Sequence, residues 1–177
     1  MKKIFQSFFN PRKSYGKKKD ADIDYKYLPK KDEYVENKFT KKFSSNGGKF
    51  LYVIDLSECE EFLNKILNEN SWNEKSTLCF NNELKKQFFP NIDIKLNKTN
   101  INSNLFITDC EFLVANDGSI LVSAKQIKSY KSNDLPNNII VIAKTSQLSE
   151  TLSKGLEGIR IKYSNNLPSN ITSIKNF

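Results

Sequence analysis

The stretch ITDCEFLVANDGSILVSAKQ, residues 107–126, decides the reading of this chain. Two apolar, β-forming runs, Phe112 to Ala115 and Ile120 to Ala124, flank Asn116-Asp117-Gly118-Ser119. Asp-Gly between such runs predicts a hairpin, because the tight turn needs positive φ and Gly supplies it without steric cost. The same turn offers a carboxylate on Asp117, a hydroxyl on Ser119 and a backbone N–H at Gly118. Those groups can receive an anion or a hydroxylated ligand. Two readings follow from the stretch itself: a plain turn, and a turn that holds a ligand.

Around the hairpin, strand and helix signals alternate. Val35 to Phe43 reads as a helix with Phe39 and Phe43 inward, stopped by Asn46-Gly47-Gly48. KFLYVID, residues 49–55, reads as a buried strand. Ser57 has capping-box spacing to Glu60 and predicts a helix to about Asn70, with Phe62, Leu63, Ile66 and Leu67 on its apolar face. Thr77 to Phe80 predicts a short strand, followed by Asn81-Asn82 and a helix ended by Pro90. IDIKL, residues 92–96, predicts another strand, and Leu105 to Ile107 a further one. Asn138 to Ala143 is almost continuously apolar and reads as a central strand. Thr145 would cap a last helix ended at Gly155 or Gly158, with a strand over Ile159 to Tyr163. Pro168 to Phe177 carries no strong pattern.

This order predicts an α/β fold: a three-layer, Rossmann-like, mostly parallel sheet with a β-hairpin insertion. Ligands in such folds bind beyond the carboxyl ends of the strands. The positions expected there are Asn81 and Asn82, Thr108 and Asp109, the turn Asn116–Ser119, and Lys144-Thr145. Asp109, after a strand, suits either a turn-capping carboxylate or an acid, base or hydroxyl acceptor. Ser169, Asn170 and Thr172 form either a polar loop or a set of hydroxyl and amide groups near the hairpin turn. Lys125 and Lys128 are solvated surface or an electropositive edge.

Composition removes several chemistries. The 177-residue chain has no histidine, so Ser-His-Asp and Cys-His activation and His-ligated metals are excluded. Its three cysteines, Cys59, Cys79 and Cys110, are widely spaced and contain no C-x-x-C pair. That spacing argues against an iron–sulfur or zinc site built by this chain alone, so no metal site is assigned. It fits thiols buried in a reducing cytoplasm. No G-x-G-x-x-G or Walker-type loop occurs. No apolar run approaches the roughly 18–20 residues that span a bilayer.

The net charge of +8 is unevenly placed. Residues 1–31 hold ten Lys or Arg against three Asp, a net +7; the rest hold eighteen against seventeen acids. Residues 1–34 are therefore read as a basic arm and 35–177 as the folded domain. The arm fits a flexible tail, a weak amphipathic membrane-surface contact, or a nucleic-acid contact. No specific nucleic acid is implied for the domain.

The order of segments carries a resemblance. NGGKFLYVIDLSECEEFLNKI, then CF before NNEL, then ITDCEFLVANDGSILVSA, LPNNIIVIAKTSQLSETL and LPSNITSI, resembles the LUD-domain family, the lactate-utilisation protein C group, over residues 35–174. The resemblance implies a fold similar to the NagB/RpiA/CoA-transferase group. It also implies a part in oxidation of L-lactate to pyruvate beside iron–sulfur partner subunits, which would hold the clusters while this chain holds no cofactor. The family's Thr-Gly-Thr-type turn falls on Asp117, Gly118 and Ser119, with Asn116 before it. Its Pro-Ser-x-Thr element falls loosely on Pro168, Ser169, Asn170 and Thr172. A His found after the Leu-Pro element in many members is replaced within Asn137-Asn138. The resulting expectation is a cytoplasmic accessory subunit for lactate oxidation, with a small carboxylate bound at the NDGS turn. The ligand-binding candidates are Asp109, Asn116, Asp117, Gly118, Ser119, Ser169 and Thr172. The rival readings are a stand-alone CoA-transferase-like or sugar-phosphate enzyme, with Glu111 or Asp109 as the carboxylate nucleophile, and a nucleic-acid binder acting through the arm.

Overall fold

The computed structural model describes residues 33–164 and 166–177. The arm expected over residues 1–34 lies outside them but for its last two positions. Helix α1 (Val35–Ser45) buries Phe39, and its ring stacks on Phe43 at 5.3 Å. Gly47, at φ 93°, turns the chain out of the helix, and Gly48 N–H closes on Phe43 O. Helix α2 (Leu56–Glu69) buries Leu63 and Leu67. Its cap is Asp55 rather than Ser57: Asp55 accepts from Glu58 N–H, and Glu58 accepts back from Ile54 N–H. An Asp with Glu three residues on makes the same kind of reciprocal cap two positions earlier.

The remaining elements, in chain order, are β1 (Thr77–Leu78), α3 (Asn82–Phe88), β2 (Leu96–Asn97), β3 (Leu105–Thr108), β4 (Phe112–Val114), β5 (Ser119–Val122), α4 (Ala124–Ile127), β6 (Ile139–Val141), β7 (Leu148–Ser149), α5 (Leu152–Tyr163) and β8 (Thr172–Ile174). They form two four-stranded sheets. One is parallel, in the order β2-β1-β3-β6. The other is mixed, in the order β7-β4-β5-β8, with the expected hairpin at its centre in the register Leu113↔Ile120.

The single sheet with a hairpin insertion is therefore corrected to two sheets. The side-chain alternation of the hairpin explains why. Leu113, Ala115, Ile120 and Val122 share one buried cluster with Leu78 and Phe106 of the parallel sheet. Val114 and Leu121 share another with Ile159 of α5. A hairpin that is apolar on both faces needs cover on both faces, which an edge insertion does not provide. On the far side of the parallel sheet, Leu105 and Ile107 pack with Leu63 and Leu67 of α2 and Leu84 of α3. The layers run α2 and α3, parallel sheet, mixed sheet, α5.

Other expectations shift for related reasons. The apolar run at 138–143 gives β6, which pairs with β3 alone among the described residues and so lies at an edge. Its two faces serve two clusters, Ile139 and Val141 in one, Ile140 and Ile142 in the other. Burial of both faces produces a continuous apolar run at an edge as readily as at a centre. KFLYVID forms no strand; Leu51, Tyr52 and Ile54 are exposed, while the Phe50 ring packs edge-on against Phe39. Of IDIKL only Leu96 enters a strand, although Ile92 and Ile94 are buried.

The last helix differs most. Thr145 begins a single 3₁₀ turn, and Thr151 is the cap of α5, accepting from Lys154 N–H. The helix continues through Gly155 and Gly158 to Tyr163. A Cβ at Gly158 would stand 2.4 Å from the Phe112 ring, and one at Gly155 2.8 Å from Leu121. These glycines let the helix approach the mixed sheet rather than ending it. The segment expected to lack pattern supplies β8, antiparallel to β5.

Candidate functional site

Strands β1, β3 and β6 point the same way, so the residues after them gather at one end of the parallel sheet. Asn81, Asp109 and Lys144 meet there around a crevice of about 360 Å³. Leu84, Phe88, Phe112 and Ile142 give it apolar walls, and Gln87, Glu111, Ser146, Gln147 and Lys162 add to its polar side. Asn81 also caps α3 by accepting from Glu83 N–H.

The floor is held by one buried carboxylate. Glu111 precedes β4 and its side chain is fully buried. Ser123 Oγ donates to it at 2.8 Å, Lys162 Nζ at 2.8 Å, and Tyr163 Oη to both carboxylate oxygens at 3.0 Å. Ser123 is itself fixed as the cap of α4, in a capping box with Gln126. Burial alone would push the Glu111 carboxyl up. The hydrogen bonds from Lys162, Ser123 and Tyr163, with the Lys162 charge, outweigh it and hold the group below its ordinary value. Lys162 is pulled the other way by burial, yet its bond to Glu111 leaves it raised. With three donors inside the protein holding it, Glu111 is a structural anchor and a poor nucleophile.

Asp109 is held differently. It sits half-buried at the end of β3, and burial pushes its carboxyl above the ordinary range. Its own backbone N–H and the Gln126 side chain oppose that shift without cancelling it. A carboxyl destabilised in its charged form, facing a crevice, is suited to exchange a proton or a hydrogen bond with a ligand. Lys144 is exposed at the same rim, its ammonium 5.7 Å from the centre of the Phe88 ring. It makes no ion pair among the described residues. Lys125 is engaged elsewhere, 3.9 Å over the Tyr163 ring. The buried thiols Cys79 and Cys110 are both raised by burial and stay protonated.

The candidates read from the sequence fall into two places. Asp109 is in the crevice. Asn116, Asp117, Gly118 and Ser119 lie at the other end of the hairpin, about 13 Å away along β5. There Asp117 accepts from Ser119 N–H and Oγ–H, and Gly118 N–H is bonded to Val114 O. Asn46 donates to the Asp117 carbonyl, fastening the turn to the end of α1. Gly118, at φ +70°, lies so close to α1 that a Cβ would be 2.4 Å from Phe43 N. Ser169 and Thr172 sit at the crevice end of β5, not beside the turn: Ser169 O accepts from Ala124 N–H, and Thr172 pairs with Val122. The residues that sequence reasoning left out are Lys162 and Tyr163. Their signal was present in Gly155, Ile159 and Tyr163, spaced four apart on one helical face.

The fold defines an α/β protein with a parallel sheet, a second mixed sheet and a crevice at the ends of the parallel strands. The particular family follows from comparison: the sequence matches the LUD domain over residues 36–176, and the chain belongs to that family. Membership is consistent with a role in lactate utilisation. The fold is similar to the crystal structure of a DUF162 family protein from Deinococcus radiodurans, at 14% identity and a TM-score of 0.61. The match covers 79% of this chain and 85% of that one. No curated protein matches the sequence. Among the described residues, no helix is long and apolar enough to cross a membrane.

Proposed function

We propose that this chain is a cytoplasmic accessory subunit for oxidation of L-lactate to pyruvate, acting beside iron–sulfur partner subunits, with the crevice as its seat for a small carboxylate. Membership of the LUD-domain family supports the pathway. The observation that carries the site is the meeting of Asp109, Lys144 and the Glu111–Lys162 pair at the ends of parallel strands. Electron transfer belongs to the partners in this reading; this chain binds and orients the acid. Lys144 receives the carboxylate, and Asp109 contacts the hydroxyl.

The test is lactate-dependent dye reduction in lysate from a strain lacking this protein. Activity should be lost and should return when the purified protein is added. Undiminished activity in the deletion lysate would remove the pathway from the reading.

A further inference from the structure

The crevice is larger than lactate needs. Its volume of about 360 Å³ corresponds to roughly 12 waters, of which lactate would displace only about four. The lining of that extra room is mixed, with Gln87, Ser146 and Gln147 beside an apolar wall. Phe88, Phe112 and Ile142 face it as half-buried apolar side chains, and Leu84 lies behind them. A wet apolar wall beside a cation and a carboxyl is the lining of a site for an amphipathic acid.

We propose that the crevice binds a 2-hydroxy carboxylate carrying an aliphatic or aromatic body larger than the methyl group of lactate. This deepens the reading of the crevice as a carboxylate seat, on which it rests. The ligand's carboxylate lies on the Lys144 ammonium. Its hydroxyl lies on Asp109. Its body covers Phe88 and Ile142, displacing water from surface the fold leaves exposed. Lys162 does not serve as the anion site, because Glu111 already holds its charge at 2.8 Å.

Calorimetric titration of the full chain with 3-phenyllactate, 3-phenylpropionate and L-lactate tests the assignment. 3-Phenyllactate should bind at least about tenfold tighter than L-lactate, through the buried ring. Lys144→Gln should weaken it about ten- to a hundredfold, the range for a lost hydrogen bond to a charged group. Asp109→Asn should bring 3-phenyllactate down to the affinity of 3-phenylpropionate, which lacks the hydroxyl. Lys65→Gln, an exposed change on α2, should alter nothing. No heat with 3-phenyllactate, or equal affinity in wild type and both crevice variants, would overturn the proposal. L-lactate binding as tightly as 3-phenyllactate would overturn the larger ligand while leaving the lactate reading intact. The lysate assay decides the pathway independently of all three titrations.

Discussion

Replacing Glu111 by Gln removes one charge from the centre of the network and changes no volume. The carboxylate accepts from three donors, Ser123, Lys162 and Tyr163, whose single hydroxyl proton is shared between the two oxygens. The amide keeps one acceptor oxygen and turns an NH₂ toward at least one of these donors. A bond to a charged acceptor contributes about 1.5–3 kcal/mol, and leaving a buried donor unpaired costs about 1–3 kcal/mol. Lys162 is half exposed and can turn to water, so its share is limited to about 1 kcal/mol. The contributions of the three donors do not add. The expected loss is about 2–3 kcal/mol, or roughly 4–12 °C in Tm for a domain of this size. The sign with pH is also fixed. The folded carboxyl lies below its unfolded value, so its stabilisation is present above about pH 4.5 and is lost as pH falls through the folded value. Thermal melts followed by circular dichroism should show the two proteins far apart at pH 7 and converging in acid. A Glu111→Gln Tm within a degree of wild type at pH 7 would refute the network as an anchor.

Asp109→Asn should act oppositely. Its folded carboxyl is raised, so the wild type loses stability as pH rises from the unfolded value through the folded one, and Asn does not. The variant should melt higher at pH 7, with the gap closing on acidification; a lower Tm at pH 7 would contradict the environment assigned to Asp109. Gly118→Ala should lose about 3 kcal/mol, from positive φ and the clash with α1 backbone, as measured by urea unfolding. Asp117→Ala should lose about 1 kcal/mol, the Ser119 bonds, and should leave 3-phenyllactate affinity unchanged. A large affinity loss would return the NDGS turn to the ligand site.

The local grammar was legible because it depends on near neighbours. Asp117-Gly118 gives the hairpin, Asn46-Gly47-Gly48 ends α1, and a short helix follows Asn81 and stops before Pro90. The strand-end rule placed Asn81, Asp109 and Lys144 together, but it placed the Asn116–Ser119 turn with them, and that turn lies at the other end of the hairpin. What escaped depends on what packs against what. Apolar residues on both faces of the hairpin signal cover on both sides, but only the fold shows that the parallel sheet and α5 provide it. Gly155 and Gly158 look like helix ends until Phe112 and Leu121 are seen against them. Reading them as stops kept Lys162 and Tyr163 off the helix, and so hid the partners of Glu111. The NDGS turn resembled a ligand cradle for a similar reason. Its carboxylate, hydroxyl and N–H are polar in the sequence, and only the fold shows Asp117 accepting from Ser119 while Gly118 N–H bonds Val114 O.

The most direct test of the central claim is lactate-dependent dye reduction in the deletion lysate, supplemented with the Lys144→Gln, Asp109→Asn double variant in place of the wild type. The account predicts a folded protein that restores little or no activity, while wild type restores it. Full restoration by the double variant would show that the crevice takes no part in lactate oxidation.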